Sequence, residues 1–149
     1  ARMTVAEMEK GELPTRYREL SAIMEDMKPF FDRKEVPLFV SGDFNSGSHL
    51  DWTEEAKHLF GGYVFKWPTS VLMEQKGFKD SYRELHPDPV KYPCLTWSTM
   101  SKLDLQYRID FIYYKGKKVK AVRSEMIDSH PVRFPSDHAA MITTFKFKK

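Results

Sequence analysis

Three aspartates occupy positions where packing alone does not explain a carboxylate. Asp43 directly follows an apolar run, Asp110 lies inside the apolar run Ile109–Tyr114, and Asp137 opens the last predicted strand. Because an isolated buried carboxylate costs several kcal/mol or shifts its pKa until it is neutral, such a group must be paired or metal-bound. His138, next to Asp137, is a candidate partner. Taken singly, each aspartate also has a structural interpretation. Asp43 would cap a turn, Asp110 would accept hydrogen bonds from a neighbouring loop, and Asp137 would cap the start of a strand.

Helical periodicity precedes the first aspartate. From Thr15, apolar residues recur at helical spacing as far as Phe30, and Pro29 is expected to end or kink this helix. The run Val36–Val40 then predicts a buried strand that feeds the loop 43–49. The first aspartate is therefore expected where a strand passes into a loop.

Two further short helices are predicted after that loop. Asp51 and Glu54 form a capping-box pattern ahead of apolar residues at helical spacing. Residues 69–70 could cap another helix that ends at Gly77, and the stretch 78–93 is rich in turn-forming residues. The predicted helices thus fall in the first half of the chain.

The last third of the chain changes to the period of extended structure. Thr96-Trp97-Ser98 predicts a short strand, and longer strands are predicted at 106–114, 119–127 and 139–147. Helices early and strands late predict a mixed α/β fold of the α+β class. Because no repeat, linker or shift in composition marks a boundary, a single unit is expected.

Composition excludes several classes of protein. The 149 residues carry a net charge of +3, with 14% aromatic residues and one cysteine, Cys94. So many aromatic residues are not typical of a disordered chain, a lone cysteine cannot form an internal disulfide, and no apolar run approaches the roughly 18 residues that span a bilayer. The mild positive charge permits anionic partners without demanding them.

Three segments, in their order and separation, carry a resemblance to a known family. They are Ser41-Gly42-Asp43-Phe44-Asn45-Ser46, Arg108-Ile109-Asp110-Phe111-Ile112 and Ser136-Asp137-His138-Ala139-Ala140, with Thr96-Trp97 a few residues before the second. Together they closely resemble the endonuclease/exonuclease/phosphatase superfamily of Mg²⁺-dependent phosphoesterases. The resemblance extends from about Thr15 to the C-terminus.

The resemblance implies a four-layer α/β/β/α sandwich of the DNase I-like type, a domain of roughly 250 residues. This chain resembles its C-terminal half, so residues 1–149 are expected to form a partial domain without the N-terminal half. In the family, that half brings an Asn, a metal-binding Glu and a further His, and nothing before Thr15 resembles them. The chain alone is therefore expected to be inactive, and to be bound to the missing half or self-associated through its exposed sheet.

The resemblance also implies roles for the motif residues. Asp43 would orient or deprotonate the attacking water or hold a metal, and Asn45 would hydrogen-bond the phosphate or the nucleophile. Asp137 would contribute to the metal site, so Asp43 and Asp137 are the expected ligands of Mg²⁺ or Mn²⁺. His138 would donate to a non-bridging phosphate oxygen, and Asp110 would pair with His138 to fix its tautomer and raise its pKa.

Four residues are expected to contact the substrate: Ser48, His49, Trp97 and Arg108. Core packing is the alternative for Trp97, whose ring would otherwise stack on a base or ribose, and a strand-edge charge is the alternative for Arg108. The substrate stays open, because endonucleases, RNA-tail nucleases, phosphoinositide phosphatases and sphingomyelinases all share these motifs. Nucleic acid is therefore one candidate substrate among several. A non-catalytic interaction domain that keeps the fold also stays open, whereas the lone Cys94 argues against a zinc enzyme.

Overall fold

A computed structural model describes residues 3–33, 35–100 and 106–148. The chain begins with helix α1 (Val5–Glu12), a π-helical turn (Leu13–Tyr17), helix α2 (Arg18–Met27) and a 3₁₀ turn (Lys28–Phe30). Pro14 lacks the N–H that a regular α-helix uses, and the π-helical turn forms at this point. The helical structure predicted from Thr15 to Phe30 is therefore confirmed, but it begins earlier, at Val5.

Within the described ranges, five strands form two small antiparallel sheets. The first has the order β1-β3-β2, with β1 at Leu38–Asp43, β2 at Lys79–Asp80 and β3 at Asp110–Lys115. The second pairs β4 (Val119–Ile127) with β5 (Ala140–Phe147). Strand β4 has the predicted bounds and β5 begins one position later than predicted, so the mixed α/β prediction is confirmed.

The largest apolar cluster covers one face of the first sheet. Strand β3 contributes two aromatic residues, and α2 and α3 (Pro68–Gln75) contribute aliphatic side chains: Phe111, Tyr113, Leu20, Met24, Leu72 and Met73. Because side chains alternate across a strand, Asp110 and Ile112 lie on the opposite face of β3. The helices therefore cover one face of this sheet and leave the acidic residue on the other.

The prediction of a helix from the capping-box pattern at Asp51 is wrong. Residues 51–56 form turns, and only a 3₁₀ turn at Lys57–Phe60 follows them. The Asp51 carboxylate accepts hydrogen bonds from the side chains of Arg83 and Arg108 instead of from backbone N–H groups of a first helical turn. A buried ion-pair partner has outcompeted the local capping interaction.

The stretch predicted to be turn-rich contains a short helix, α4 (Ser81–Leu85). It forms because the Asp80 carboxylate accepts hydrogen bonds from the N–H groups of Tyr82 and Arg83. The strand predicted at residues 96–98 is reduced to isolated bridges from Trp97 to Tyr107 and His138. In the described part of the chain, no helix is long and apolar enough to cross a membrane.

Candidate active site

Strand register brings two of the three predicted aspartates together. Strands β1 and β3 are antiparallel, and Asp43 stands directly opposite Asp110 in their pairing. His138, just before β5, joins them, so that one ligand atom from each of the three side chains lies within 4.8 Å of the others. Like charges directly opposite each other on neighbouring strands destabilise a sheet unless a cation compensates them. The arrangement therefore calls for positive charge at this point.

His138 and Asp110 form the predicted pair. Their Nδ1 and Oδ2 atoms are 2.9 Å apart, and both side chains are half-buried. The hydrogen bond to Asp110 raises the pKa of His138 above its ordinary value, with the charges of Asp43 and Asp137 adding to the effect. Among the described residues, the other ring nitrogen, Nε2, has no hydrogen-bond partner. This geometry leaves Nε2 available as a proton donor.

Thr96 ties the strands that carry this pair. Its Oγ1 accepts hydrogen bonds from the N–H groups of Ile109 (2.9 Å) and Asp110 (3.2 Å), and its carbonyl accepts one from Ala139 N–H (2.8 Å). Thr96 is completely buried, so these bonds are shielded from water. The Thr96-Trp97 motif therefore fixes the backbone around Asp110 and His138.

Asn45 holds the Asp43 carboxylate in place. The backbone N–H of Asn45 donates to Asp43 Oδ1 at 2.7 Å, and the side-chain Nδ2 donates to Oδ2 at 2.9 Å. Asn45 has a φ of +46°, in the left-handed region that asparagine tolerates better than most residues. The backbone and the side chain of Asn45, two positions after Asp43, thus orient the Asp43 carboxylate.

Asp137, an expected metal ligand, lies beside this cluster rather than in it. Its side chain is exposed, and its backbone carbonyl accepts a hydrogen bond from Thr99 N–H at 2.8 Å. Its charge adds to the raised pKa of His138. The three side chains that the structure gathers are Asp43, Asp110 and His138.

The four predicted substrate contacts are placed differently from one another. Trp97 is half-buried and its backbone pairs with that of His138, so it adjoins the site. The ring of His49 is occupied by Ser70 Oγ (2.8 Å) and Glu74 Oε2 (3.1 Å), and Ser48 is buried. The Arg108 side chain is fully buried and forms ion pairs with Asp51 and Asp80.

Sequence reasoning missed a buried cluster of four charged residues. Arg108 donates to Asp51 through Nε and Nη2, both at 2.9 Å, and to Asp80 through Nη1 and Nη2 at 2.9 and 2.6 Å. Arg83 Nε donates to Asp51 at 2.9 Å. Burial alone would lower the pKa of Arg108, but the two carboxylates outweigh it and hold the pKa well above its ordinary value.

This charge cluster positions the site. It links Asp51, which follows the Asp43 loop, to Arg108, two residues before Asp110, and to Asp80 and Arg83 around the start of α4. A set of charges with no fixed spacing gives no sequence signal, although Arg108 lies two positions before the start of strand β3. The two motif strands are therefore joined through ion pairs as well as through the sheet.

A basic residue on the helical segment also faces the site. A surface depression of about 460 Å³ is lined by Thr15, Arg16, Glu19, Asp43, Phe44 and Asn45. Arg16 therefore lies at the edge of the acidic cluster and brings a positive charge to it. Sequence analysis did not single out Arg16, because it lies on a helix outside the three motifs.

The carboxylates, the histidine and the arginine of this site determine which chemistry it can perform. Carboxylate oxygens are the ligands that hard divalent cations prefer. A histidine held by a carboxylate through Nδ1 can present its other nitrogen as a proton donor. Carboxylate oxygens, a proton donor and a nearby arginine together suit a reaction of a substrate group that carries negatively charged oxygens.

Comparison with known sequences places the chain among related proteins. Residues 20–138 match the Endonuclease/Exonuclease/phosphatase family, and this range contains Asp43, Asp110 and His138. The chain is 36% identical over 140 residues to Uncharacterized protein F14F9.5 of Caenorhabditis elegans, covering 81% of this chain and 45% of that protein. It therefore spans slightly less than half the length of this curated relative. On the extent of these matches, the chain belongs to the endonuclease/exonuclease/phosphatase family.

Proposed function

We propose that this chain carries part of the active site of a metal-dependent phosphoesterase, which hydrolyses a phosphodiester or phosphomonoester with a metal-activated water. The observation that carries the proposal is the meeting of Asp43, Asp110 and His138 at one point on neighbouring strands. Membership of the family, whose members generally act as hydrolases on phosphate esters, supports the same class of reaction.

The donor set of the site fits a hard divalent cation. Asp43 is exposed and offers carboxylate oxygens opposite a second carboxylate, and Asp137 is exposed nearby. Asp43 and Asp137 would hold Mg²⁺ or Mn²⁺, which prefers carboxylate oxygens and keeps several waters. When bound, the cation would neutralise charge on the phosphate and lower the pKa of a coordinated water.

The protein residues would then position the reacting groups. Asp43, fixed by Asn45, would orient the attacking water, and Asn45 would hydrogen-bond the phosphate or the nucleophile. His138 in its cationic form would donate from Nε2 to a non-bridging phosphate oxygen, while Asp110 keeps the proton on Nδ1. Preorganised donors of this kind stabilise the charge that develops in the transition state.

We further propose that this chain is the C-terminal half of a four-layer sandwich whose other half lies outside residues 1–149. The exposure of Phe39 supports this proposal. Phe39 lies on the same face of β1 as Asp43, the face that the helices leave uncovered, and it is 41% exposed. A further sheet, brought by the other half and packed on this face, would bury Phe39 and supply the missing ligands.

This proposal predicts the behaviour of the isolated chain. Residues 1–149 alone should show no Mg²⁺-dependent turnover and should self-associate or co-purify with the other half. Gel filtration with light scattering and intact-mass measurement tests the prediction. A 17.5 kDa monomer that unfolds cooperatively and hydrolyses substrate would contradict it.

Variants of the full open reading frame test the proposed reaction. Hydrolysis of bis(p-nitrophenyl) phosphate in Mg²⁺ should fall by about 10²–10⁴-fold in Asp43→Asn and in His138→Ala, the range typical of losing a positioned acid–base group. Asp32→Asn, at an exposed turn position, is the matched control and should retain full activity. A folded wild-type protein without activity on any phosphate ester would favour a non-catalytic interaction domain instead.

A further inference from the structure

An aromatic cavity lies between helix α1 and the segment after the Asp43 loop. Its volume is about 740 Å³, within the range of small-molecule binding pockets. Six of its lining residues matter here: Met8, Glu12, Trp52, Tyr63, Trp67 and Tyr107. No role in the proposed reaction has yet been given to any of them.

The rings of this cavity form a stacked array. The rings of Trp67 and Tyr107 are nearly parallel, at 17° with centroids 5.7 Å apart, and Trp52 stands perpendicular to Trp67 with centroids 5.0 Å apart. Trp52 and Trp67 are almost completely buried, whereas Tyr63 and Tyr107 are half-buried. The array is therefore preformed, with its two tyrosines at the accessible side.

The cavity adjoins the candidate phosphate site. Arg16 lines both this cavity and the depression that contains Asp43 and Asn45. The backbone of Tyr107 pairs with Trp97, and that of Trp97 pairs with His138. A ligand with its phosphate at the acidic cluster would therefore have the cavity as the next concave surface beside it.

Glu12 gives the cavity a polar group with unusual properties. It is only 6% exposed, and it accepts a hydrogen bond from Ser46 Oγ at 2.8 Å. Burial raises the pKa of Glu12, against the opposing effects of Ser46 and Arg16. A buried carboxyl group that lines the cavity offers hydrogen-bonding oxygens to the edge of a heterocycle.

We propose that this cavity binds a nucleobase of the substrate, so that the phosphate ester cleaved beside it belongs to a nucleotide or nucleic acid. The substrate assignment rests on the proposed phosphoesterase function, but base binding does not. A flat ring with donors and acceptors on its edge matches stacked aromatic side chains beside a buried carboxyl group. An acyl chain would gain nothing from Glu12, and Arg16 suits the anionic end of the ligand.

Gly11 offers a way to close the cavity without disturbing the fold. It lies in α1 and lines the cavity, and a Cβ added there would meet no atom within 4 Å. Gly11→Leu should therefore be accommodated and fill part of the cavity, while Gly11→Ala adds only a methyl group and serves as the matched control. Both replacements also favour the helix over glycine.

The test is equilibrium binding in EDTA, which separates it from catalysis. Binding of the four ribonucleoside 5′-monophosphates and of ribose 5-phosphate to the full open reading frame is measured by calorimetry. We expect at least one nucleotide to bind at least tenfold more tightly than ribose 5-phosphate. Gly11→Leu should remove that advantage, and Gly11→Ala should keep it.

Two results would overturn the proposal. Equal binding of all five probes to the wild-type protein would show that the base is not recognised, whatever the variants do. A nucleotide preference that survives in a cooperatively unfolding Gly11→Leu protein would place the base elsewhere. Base-dependent binding by a protein that hydrolyses no phosphate ester would instead contradict only the proposed reaction.

Discussion

Neutralising Asp51 should destabilise the protein severely, although Asp51 lies outside the three motifs. Its carboxylate accepts three hydrogen bonds from Arg83 and Arg108, and the side chains of all three residues are at most 3% exposed. With Asp80, the cluster carries two positive and two negative charges. Asp51→Asn leaves one buried positive charge uncompensated and turns an amide N–H₂ toward arginine donors.

The expected cost is about 3–5 kcal/mol, the usual loss when one partner of a buried ion pair is removed. At about 2–4 °C per kcal/mol for a domain of this size, the melting temperature should fall by about 6–20 °C. Thermal and urea unfolding measure the loss, and Asp26→Asn on the exposed side of α2 is the matched control. A loss below about 1 kcal/mol would refute the view that this cluster holds the motif strands in place.

Three further outcomes are expected. Asp110→Asn and His138→Ala should lower the hydrolysis rate by similar factors, and the double variant should be hardly slower than either, since a hydrogen-bonded pair acts as a unit; multiplicative losses would show independence. Because Asp110 raises the pKa of His138, the pair stabilises the fold fully below the ordinary value of about 6.5, and the contribution is lost as pH rises through the raised pKa. In Asp110→Asn, the NMR titration of His138 should therefore move to lower pH, and an unchanged curve would disprove the coupling. Gly47→Ala should cost about 1–3 kcal/mol in unfolding experiments, because its Cβ would lie 2.6 Å from Trp67 Nε1, whereas Gly11→Ala should cost nothing.

The parts of the fold that the sequence predicted are those with local signals. Strand β4 and the helix ending near Phe30 follow from hydrophobic periodicity, which needs no knowledge of distant residues. The need of Asp110 for a partner was also visible locally. A carboxylate inside an apolar strand demands a partner, and the resemblance named the partner.

The parts that the sequence did not predict depend on contacts between distant residues. Asp51 looks like a helix cap, but Arg108, 57 positions later, takes its carboxylate. Arg108 looked available for a phosphate, and only the three-dimensional structure shows that Asp51 and Asp80 bury its charge. Local patterns do not encode such pairings, because ion pairs have no fixed spacing along a chain.

Metal dependence is the central claim, and removal of the metal tests it most directly. Hydrolysis of bis(p-nitrophenyl) phosphate by the full open reading frame should stop in EDTA and return when Mg²⁺ or Mn²⁺ is added in excess, because oxygen ligands such as Asp43 and Asp137 suit hard cations. Zn²⁺ should restore it less well than Mg²⁺, because the expected ligands are carboxylate oxygens rather than the nitrogen and sulfur ligands typical of zinc sites. The lone cysteine, Cys94, is buried, and burial raises the pKa of its thiol to about 12. Full activity that survives exhaustive chelation would contradict the account.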